Sequence, residues 1–244
     1  MNQKPSKAFV IRELEKVIQT RPQTSILDLG SGRSINFLHL LKNYPELRYV
    51  GLEPNQRDAE EALRVFKNYP NVRIINNLAY SSLEELGQFD IVISLSVLEH
   101  VKHLKDFLSF SASKVKHGGQ LIHLYDLGHF LYPSSLKERI HVGLCKNSLT
   151  SIFIPETKFC KYVNQIEVVK FLEETGINIK KITYHNMPHL VFFLKNLKED
   201  NCDSQKFLDF IIDWELQMSE VVKDFDSDTR EKIFPAVCVW GIKQ

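Results

Sequence analysis

Apolar residues along this chain fall into two alternating patterns. Largely apolar runs occupy 25–29, 48–53, 72–76, 89–96 and 120–126, the fourth of them apolar nearly throughout, as expected of strands buried on both faces of a parallel sheet. Between them the spacing is helical. Val10, Ile11, Leu14, Val17 and Ile18 share a stripe within 6–20; Phe37, Leu38, Leu40 and Leu41 fall within 36–42; Ala59, Leu63 and Phe66 fall within 56–68. A further helix is predicted over 102–116, with Gly118-Gly119 breaking the chain before the fifth strand. Strands alternating with helices of about a dozen residues predict βαβ units in an open α/β sheet.

After Asp126 the rhythm changes. Residues 127–163 carry Pro133, Gly143, Pro155 and scattered aromatics, and read as an insertion. A helix over 165–174, stopped by Gly176, leads into a strand over 177–184; 188–232 is mostly helical, and 235–243 ends the chain as a strand. In the helix over 204–225, Phe207, Ile211, Trp214, Met218, Val221 and Phe225 form a heptad-like seam. It is too short for a coiled coil and is expected to pack on its own domain. A homodimer contact or a lid are the other readings of that seam.

Composition changes this picture little. With 244 residues, 43% hydrophobic and 25% charged, the chain reads as one globular domain over 1–244. Its net charge of +1 offers no basic surface for nucleic acid or an anionic membrane. Cys145, Cys160, Cys202 and Cys238 form no CxxC pair, so neither a zinc site nor a disulfide framework is expected. The start, MNQKPSKAFVIRELEKV, lacks the apolar stretch of a signal peptide, and no run is long enough to span a membrane. The cytoplasm is the expected location.

The candidate chemistry sits at the strand ends. ILDLGSGRS (26–34) closes an apolar run with Asp28 and turns on Gly30 and Gly32; YVGLEPN (49–55) closes another with Glu53, 23 positions after Gly30. A carboxylate at that distance from a glycine turn is placed to meet a ribose. A nicotinamide oxidoreductase would want GxGxxG, and Ile35 stands in the last glycine's place. Asp28 would also repel a pyrophosphate. A cationic or zwitterionic ligand such as S-adenosylmethionine, which has no phosphate, suits the same acids.

Taken with FDIVISLSVLEHV (89–101) and HGGQLIHLYD (117–126), these motifs resemble the class I S-adenosylmethionine-dependent methyltransferases over roughly 20–126, and more loosely over 164–186 and the last strand. The resemblance implies a Rossmann-like α/β fold: seven mostly parallel strands with flanking helices, a reversed last strand, and helical insertions after strands five and six. It implies S-adenosylmethionine as cofactor and S-adenosylhomocysteine as product. Asp28, Gly30, Ser31 and Gly32 would edge the methionine part, and Glu53 with Pro54 would hold the ribose. Leu78 and Ala79 would flank the adenine, with Ser94, Leu95 and Ser96 beneath the methionyl group. A non-catalytic partner that keeps the fold for assembly is the alternative class of reading.

Three departures from the family pattern stand out. Ser34 replaces the last glycine of GxGxG, and no acid follows the third strand in Asn76-Asn77-Leu78-Ala79. SVLEHV resembles ubiquinone-type O-methyltransferases, where a metal-binding ExxEH is associated with that position. Ser96 stands where its first Glu would be, so no metal is expected. YDLGHF (125–130) with the insertion and YVNQIEVVKFLEETGI (162–177) resembles methyltransferases of bacterial sugar and polysaccharide pathways, which implies a small-molecule acceptor, a carbohydrate foremost. The expected base is His129, with Asp126 orienting it and His100 as the competing base. Insertions 127–163 and 188–232 are the expected wall and lid.

Overall fold

The protein is described by a computed structural model covering residues 4–78, 86–133, 135–196 and 202–244. Its strands are β1 (Ser25–Leu29), β2 (Arg48–Leu52), β3 (Val72–Ile75), β4 (Phe89–Leu95), β5 (Val115–Asp126), β6 (Ile177–His185) and β7 (Ala236–Lys243). They form one sheet in the order β3-β2-β1-β4-β5-β7-β6. The pairs β1–β2, β2–β3, β1–β4 and β4–β5 are parallel; β7 runs antiparallel to both β5 and β6. This is the seven-stranded, doubly wound sheet with a reversed last strand that the alternating pattern and the family resemblance predicted. Among the described residues no helix is long and apolar enough to cross a membrane.

The helices are α1 (Pro5–Thr20), α2 (Leu38–Asn43), α3 (Gln56–Phe66), α4 (Leu104–Ser113), α5 (Gly128–Leu131), α6 (Leu136–Lys146), α7 (Ser148–Ser151), α8 (Gln165–Glu174), α9 (Pro188–Asn196), α10 (Cys202–Val222) and α11 (Ser227–Ile233). Both sheet faces are apolar because alternate strand residues serve opposite layers. Ile26, Ile91, Ile93 and Ile122 pack with Phe9, Leu14 and Ile18 of α1; Leu27, Val92 and Leu121 pack with Phe107, Leu108, Val168 and Leu172 of α4 and α8. At about 25 cal/mol per Å² of apolar surface removed from water, such two-sided burial is the main source of stability.

The structure departs from the predicted elements in three informative places. First, β5 begins at Val115 rather than after the glycine pair. Gly118, at φ +73°, lets the strand run on across a register shift opposite Phe89 and Ile91. Second, α3 buries Ala59, Ala62 and Phe66 and leaves Leu63 half exposed, so its inner face is rotated from the one expected. Third, α10 packs against α1 and β6, as the reading of a helix on its own domain expected. Its buried residues, however, are Ile211, Ile212, Glu215, Ser219 and Val222, while Val221 and, beyond its end, Phe225 are exposed. Glu215 and Ser219 face inward to meet the β6 edge: Ser219 Oγ accepts the Tyr184 N–H at 2.9 Å, and Glu215 meets His185 Nδ1 at 3.1 Å and the Met187 N–H at 3.0 Å.

A second buried histidine sits between β4, β5 and α4. His123 Nδ1 lies 2.8 Å from Ser94 Oγ and its Nε2 3.1 Å from Ser111 Oγ. Burial pushes its pKa down to about 3, so the folded protein holds it neutral. The unfolded chain takes up a proton there below its ordinary value of about 6.5, and the native state does not. Stability from this residue is therefore present above about pH 6.5 and lost as pH falls toward 3. Relative to His123→Gln, wild type should lose an additional ~2 kcal/mol of unfolding free energy between pH 7 and pH 5. Urea denaturation at both values checks this; parallel pH slopes for the two proteins would rule it out.

Candidate active site

The glycine turn is held from two sides. Gly30 and Ser31 donate their N–H groups to the Leu52 carbonyl at 2.8 and 2.9 Å, which ties the end of β1 to the end of β2. Glu53 then bridges outward: Oε2 accepts the Gly32 N–H at 2.7 Å and Oε1 the Asn55 N–H at 2.7 Å. Gly30 has φ +72°, and a Cβ there would sit 2.7 Å from Val97 Cγ2. A glycine is required at that position by both conformation and space. Ser34, which departs from the family glycine pattern, also takes a positive φ of 56°. The turn therefore keeps its left-handed geometry without the third glycine.

A cleft opens beside this turn. Gly30, Glu53, Pro54, Leu78 and Ser96 of the predicted set line it, with Asn55, Asp58, Val97, His100, Val101, Phe107 and Thr157. Open solvent included, it encloses about 730 Å³. Burial raises the Glu53 pKa, against the pull of its two backbone N–H donors. An ionised carboxylate has about four lone-pair positions, so two remain for a ligand's hydroxyls. Asp58 adds a second acid on the first turn of α3, and Arg33 Nε reaches it at 3.3 Å and Glu61 at 2.9 Å.

The remaining predicted residues are placed differently. Asp28 is enclosed at 3% exposure and does not line the open cleft. Its Oδ2 accepts the Tyr49 hydroxyl at 2.7 Å, and its buried Oδ1 meets no hydrogen-bond partner among the described residues. Burial pushes the Asp28 pKa up to about 7, against the pull of the Tyr49 hydroxyl and of the Lys7 charge. Ser31, Gly32 and Leu95 are not among the lining residues, and the Ser94 hydroxyl is engaged with His123. Ser96 leaves β4 at φ +62°, a conformation that brings the following Val97 against Gly30. Ala79 lies outside the described residues.

Of the three acceptor-side residues, His100 alone lines the cleft. Its Nδ1 lies 2.8 Å from the Phe159 carbonyl. A carbonyl only accepts, so Nδ1 carries the proton and Nε2 is left as a base. Burial lowers the His100 pKa, which keeps the ring neutral at ordinary pH. His129 is exposed on α5. Asp126 is buried in a latch: its Oδ1 accepts the Gly128 N–H at 2.8 Å, and its Oδ2 accepts Lys4 Nζ at 2.8 Å and Asn186 Nδ2 at 2.9 Å. Glu99, buried beside it, accepts the Asp126 N–H at 3.2 Å, and burial pushes its pKa up to about 8. Sequence reasoning did not find Asn55, Asp58, Phe107 or Thr157. Asp58 carried a signal, being one helical turn beyond Glu53; Thr157 carried none, because its insertion has no regular period.

Three comparisons bear on this arrangement. A family model described as a methyltransferase domain matches residues 4–182. Two ubiquinone biosynthesis O-methyltransferases, from Rickettsia bellii strains OSU 85-389 and RML369-C, are each 22% identical over 179 residues, 71% of this chain and 70% of theirs. Among solved structures, geranyl diphosphate C-methyltransferase from Streptomyces coelicolor, in complex with Mg²⁺, geranyl diphosphate and S-adenosyl-L-homocysteine, superposes with a TM-score of 0.57 at 13% identity, over 91% of this chain and 73% of that one. The YcgJ protein of Bacillus subtilis gives 0.57 at 15% identity, over 96% and 98%.

The turn geometry makes a stability prediction. Gly30→Ala should cost about 1–3 kcal/mol, from the left-handed backbone and the overlap with Val97. Combined with Val97→Ala, the two losses should fall short of additive by at least about 0.5 kcal/mol. Equilibrium denaturation of both single variants and the double checks this, and strict additivity would show that the Val97 contact is not the source.

Proposed function

The chain belongs to the methyltransferase-domain family, and from that premise we propose that it moves the methyl group of S-adenosylmethionine to a hydroxyl oxygen of a small acceptor, a sugar or related metabolite. One observation carries the reading: the Glu53 carboxylate, braced by two backbone N–H groups, lines a cleft across which His100 presents a free Nε2. S-adenosylmethionine, when bound, supplies an electrophilic methyl group and a neutral leaving group. The chain's own residues bind, align and take up one proton.

Glu53 keeps two lone-pair positions for the ribose diol, and Leu78 and Pro54 offer apolar contact beside it. Asp28, enclosed beneath the turn, acts on the ligand through the turn that it underlies. Acids in and beneath the cleft disfavour a dinucleotide's pyrophosphate. Because displacement at a methyl carbon needs alignment above all, holding both reactants in one cleft supplies most of the acceleration. His100 takes the acceptor's proton on Nε2 while the Phe159 carbonyl holds its other nitrogen protonated. Asp126, engaged in its latch, acts as a positioning residue, and exposed His129 plays no direct part. The O-methyltransferase names of the Rickettsia relatives support oxygen as the atom methylated.

Two outcomes follow. Glu53→Ala should weaken S-adenosylmethionine binding by about 1.5–3 kcal/mol, the worth of hydrogen bonds to a charged group. Calorimetry with S-adenosylmethionine and NAD decides, and NAD binding without S-adenosylmethionine binding would overturn the reading. His100→Ala should lower turnover by about 10²–10⁴-fold while leaving S-adenosylmethionine affinity within about twofold, ~0.4 kcal/mol. The wild-type rate should fall off only on the acid side of His100's lowered pKa, below about pH 6.5. Normal turnover in His100→Ala with loss in His129→Ala would return the base to the turn after β5.

A further inference from the structure

The insertion after β5 folds around a very small core. Val142, Cys145, Phe159 and Cys160 are its buried residues, with Phe130 and Ile154 packed against them, while Leu136, Leu149 and Phe153 stay largely exposed. Clusters of this size do not stabilise a segment alone, and small folds commonly add a disulfide or a metal. Within this cluster His141 and Cys145 lie one turn apart on α6, and Cys160 returns to meet them. The ligand atoms of the three lie within 4.8 Å of one another, and His141 Nε2 is 3.6 Å from Cys145 Sγ. That separation matches the edge of a tetrahedron with Zn–S of ~2.3 Å and Zn–N of ~2.0–2.1 Å, about 3.6 Å.

We propose that His141, Cys145 and Cys160 form a binding site for Zn²⁺ that braces the insertion against the cleft. Two thiolates and one neutral imidazole neutralise a dication, so the complex carries no net charge into an apolar cluster, where an unbalanced charge would be costly. Binding displaces two thiol protons to solvent. The His141 Nε2 proton, which faces the Lys158 carbonyl at 2.7 Å, is replaced by one on Nδ1; that carbonyl moves aside as the ion takes its place, and a water completes the tetrahedron. The site is separate from the cleft but joined to it through residues beside Cys160. The Phe159 carbonyl holds His100, and the Lys161 N–H donates to the Glu99 carbonyl at 2.8 Å. The absence of a CxxC pair concealed this group, because the fold gathers it from two separated segments.

The test uses the full chain, reduced and freed of metal with a chelator. Titration with Zn²⁺ against a chromophoric competitor should give one ion per chain, with affinity lowered at least 100-fold in Cys145→Ser and in Cys160→Ser but unchanged in Cys238→Ser, whose thiol lies in β7. Co²⁺ should give intense tetrahedral visible bands and a thiolate charge-transfer band in the wild-type protein, a readout that needs no variant to fold. Amide exchange should slow over residues 153–161 when Zn²⁺ is added. The proposal is overturned if the reduced chain binds no Zn²⁺ at micromolar concentration, if both cysteine variants bind as wild type does, or if the Co²⁺ spectrum lacks the thiolate band. None of these readouts depends on methyl transfer.

Discussion

The Glu53 carboxylate ties together two segments that no strand pairing joins. The turn after β1 and the start of α3 each present a backbone N–H to it, at 2.7 Å on either oxygen. Both segments lie at the carboxyl rim of a parallel sheet, where strand ends stop pairing and backbone groups need other partners. One acid satisfies two of them and keeps capacity for a ligand. Its backbone is fixed as well, since its N–H donates to the Ile75 carbonyl and its carbonyl accepts Asn76 Nδ2. Asn76, which opens the stretch after β3 where the family resemblance implies an acid, thus braces Glu53 through the backbone.

A second polar centre organises the other half of the rim. Asp126, at the end of β5, gathers Lys4 at the start of α1 and Asn186 after β6. Asn186 takes φ +66°, which asparagine tolerates better than most residues, and its Oδ1 accepts the Ser6 N–H at 3.1 Å. Burial raises the Asp126 pKa, but Lys4 and its hydrogen-bond donors more than offset that and hold the carboxyl below its usual range. Glu99 and Asp28 also feel a cation, Lys7, but its charge does not offset their burial, and they are pushed the other way. The same kind of side chain thus takes opposite protonation behaviour, according to whether a cation and several donors bind it directly.

These polar centres explain what the sequence could and could not disclose. Strand runs such as Ile91–Leu95 were legible because both faces of a parallel sheet are apolar, a property of each strand by itself. Glu53 and Gly30 were legible because a short-range spacing carries them. The inward face of α10 was not, because Glu215 and Ser219 look like surface residues until the β6 edge is brought against them. Asp126 was read as acceptor chemistry because its partners, Lys4 and Asn186, lie 122 and 60 residues away. Local periodicity records which face is buried; it says nothing about which distant donor will satisfy a buried acid.

The insertion after β5 reaches the cleft directly. Its residues 157–161 supply a lining side chain, the carbonyl that sets the His100 tautomer, and an N–H bonded to Glu99. A base whose proton position depends on a single carbonyl is only as well oriented as the segment carrying that carbonyl. Phe159 is buried in a satellite core, and Lys102 lies over its ring at 5.6 Å. The histidine of the fourth-strand motif and the irregular segment after the fifth are therefore parts of one device. The sheet delivers the imidazole to the cleft, and the insertion decides which of its nitrogens is free.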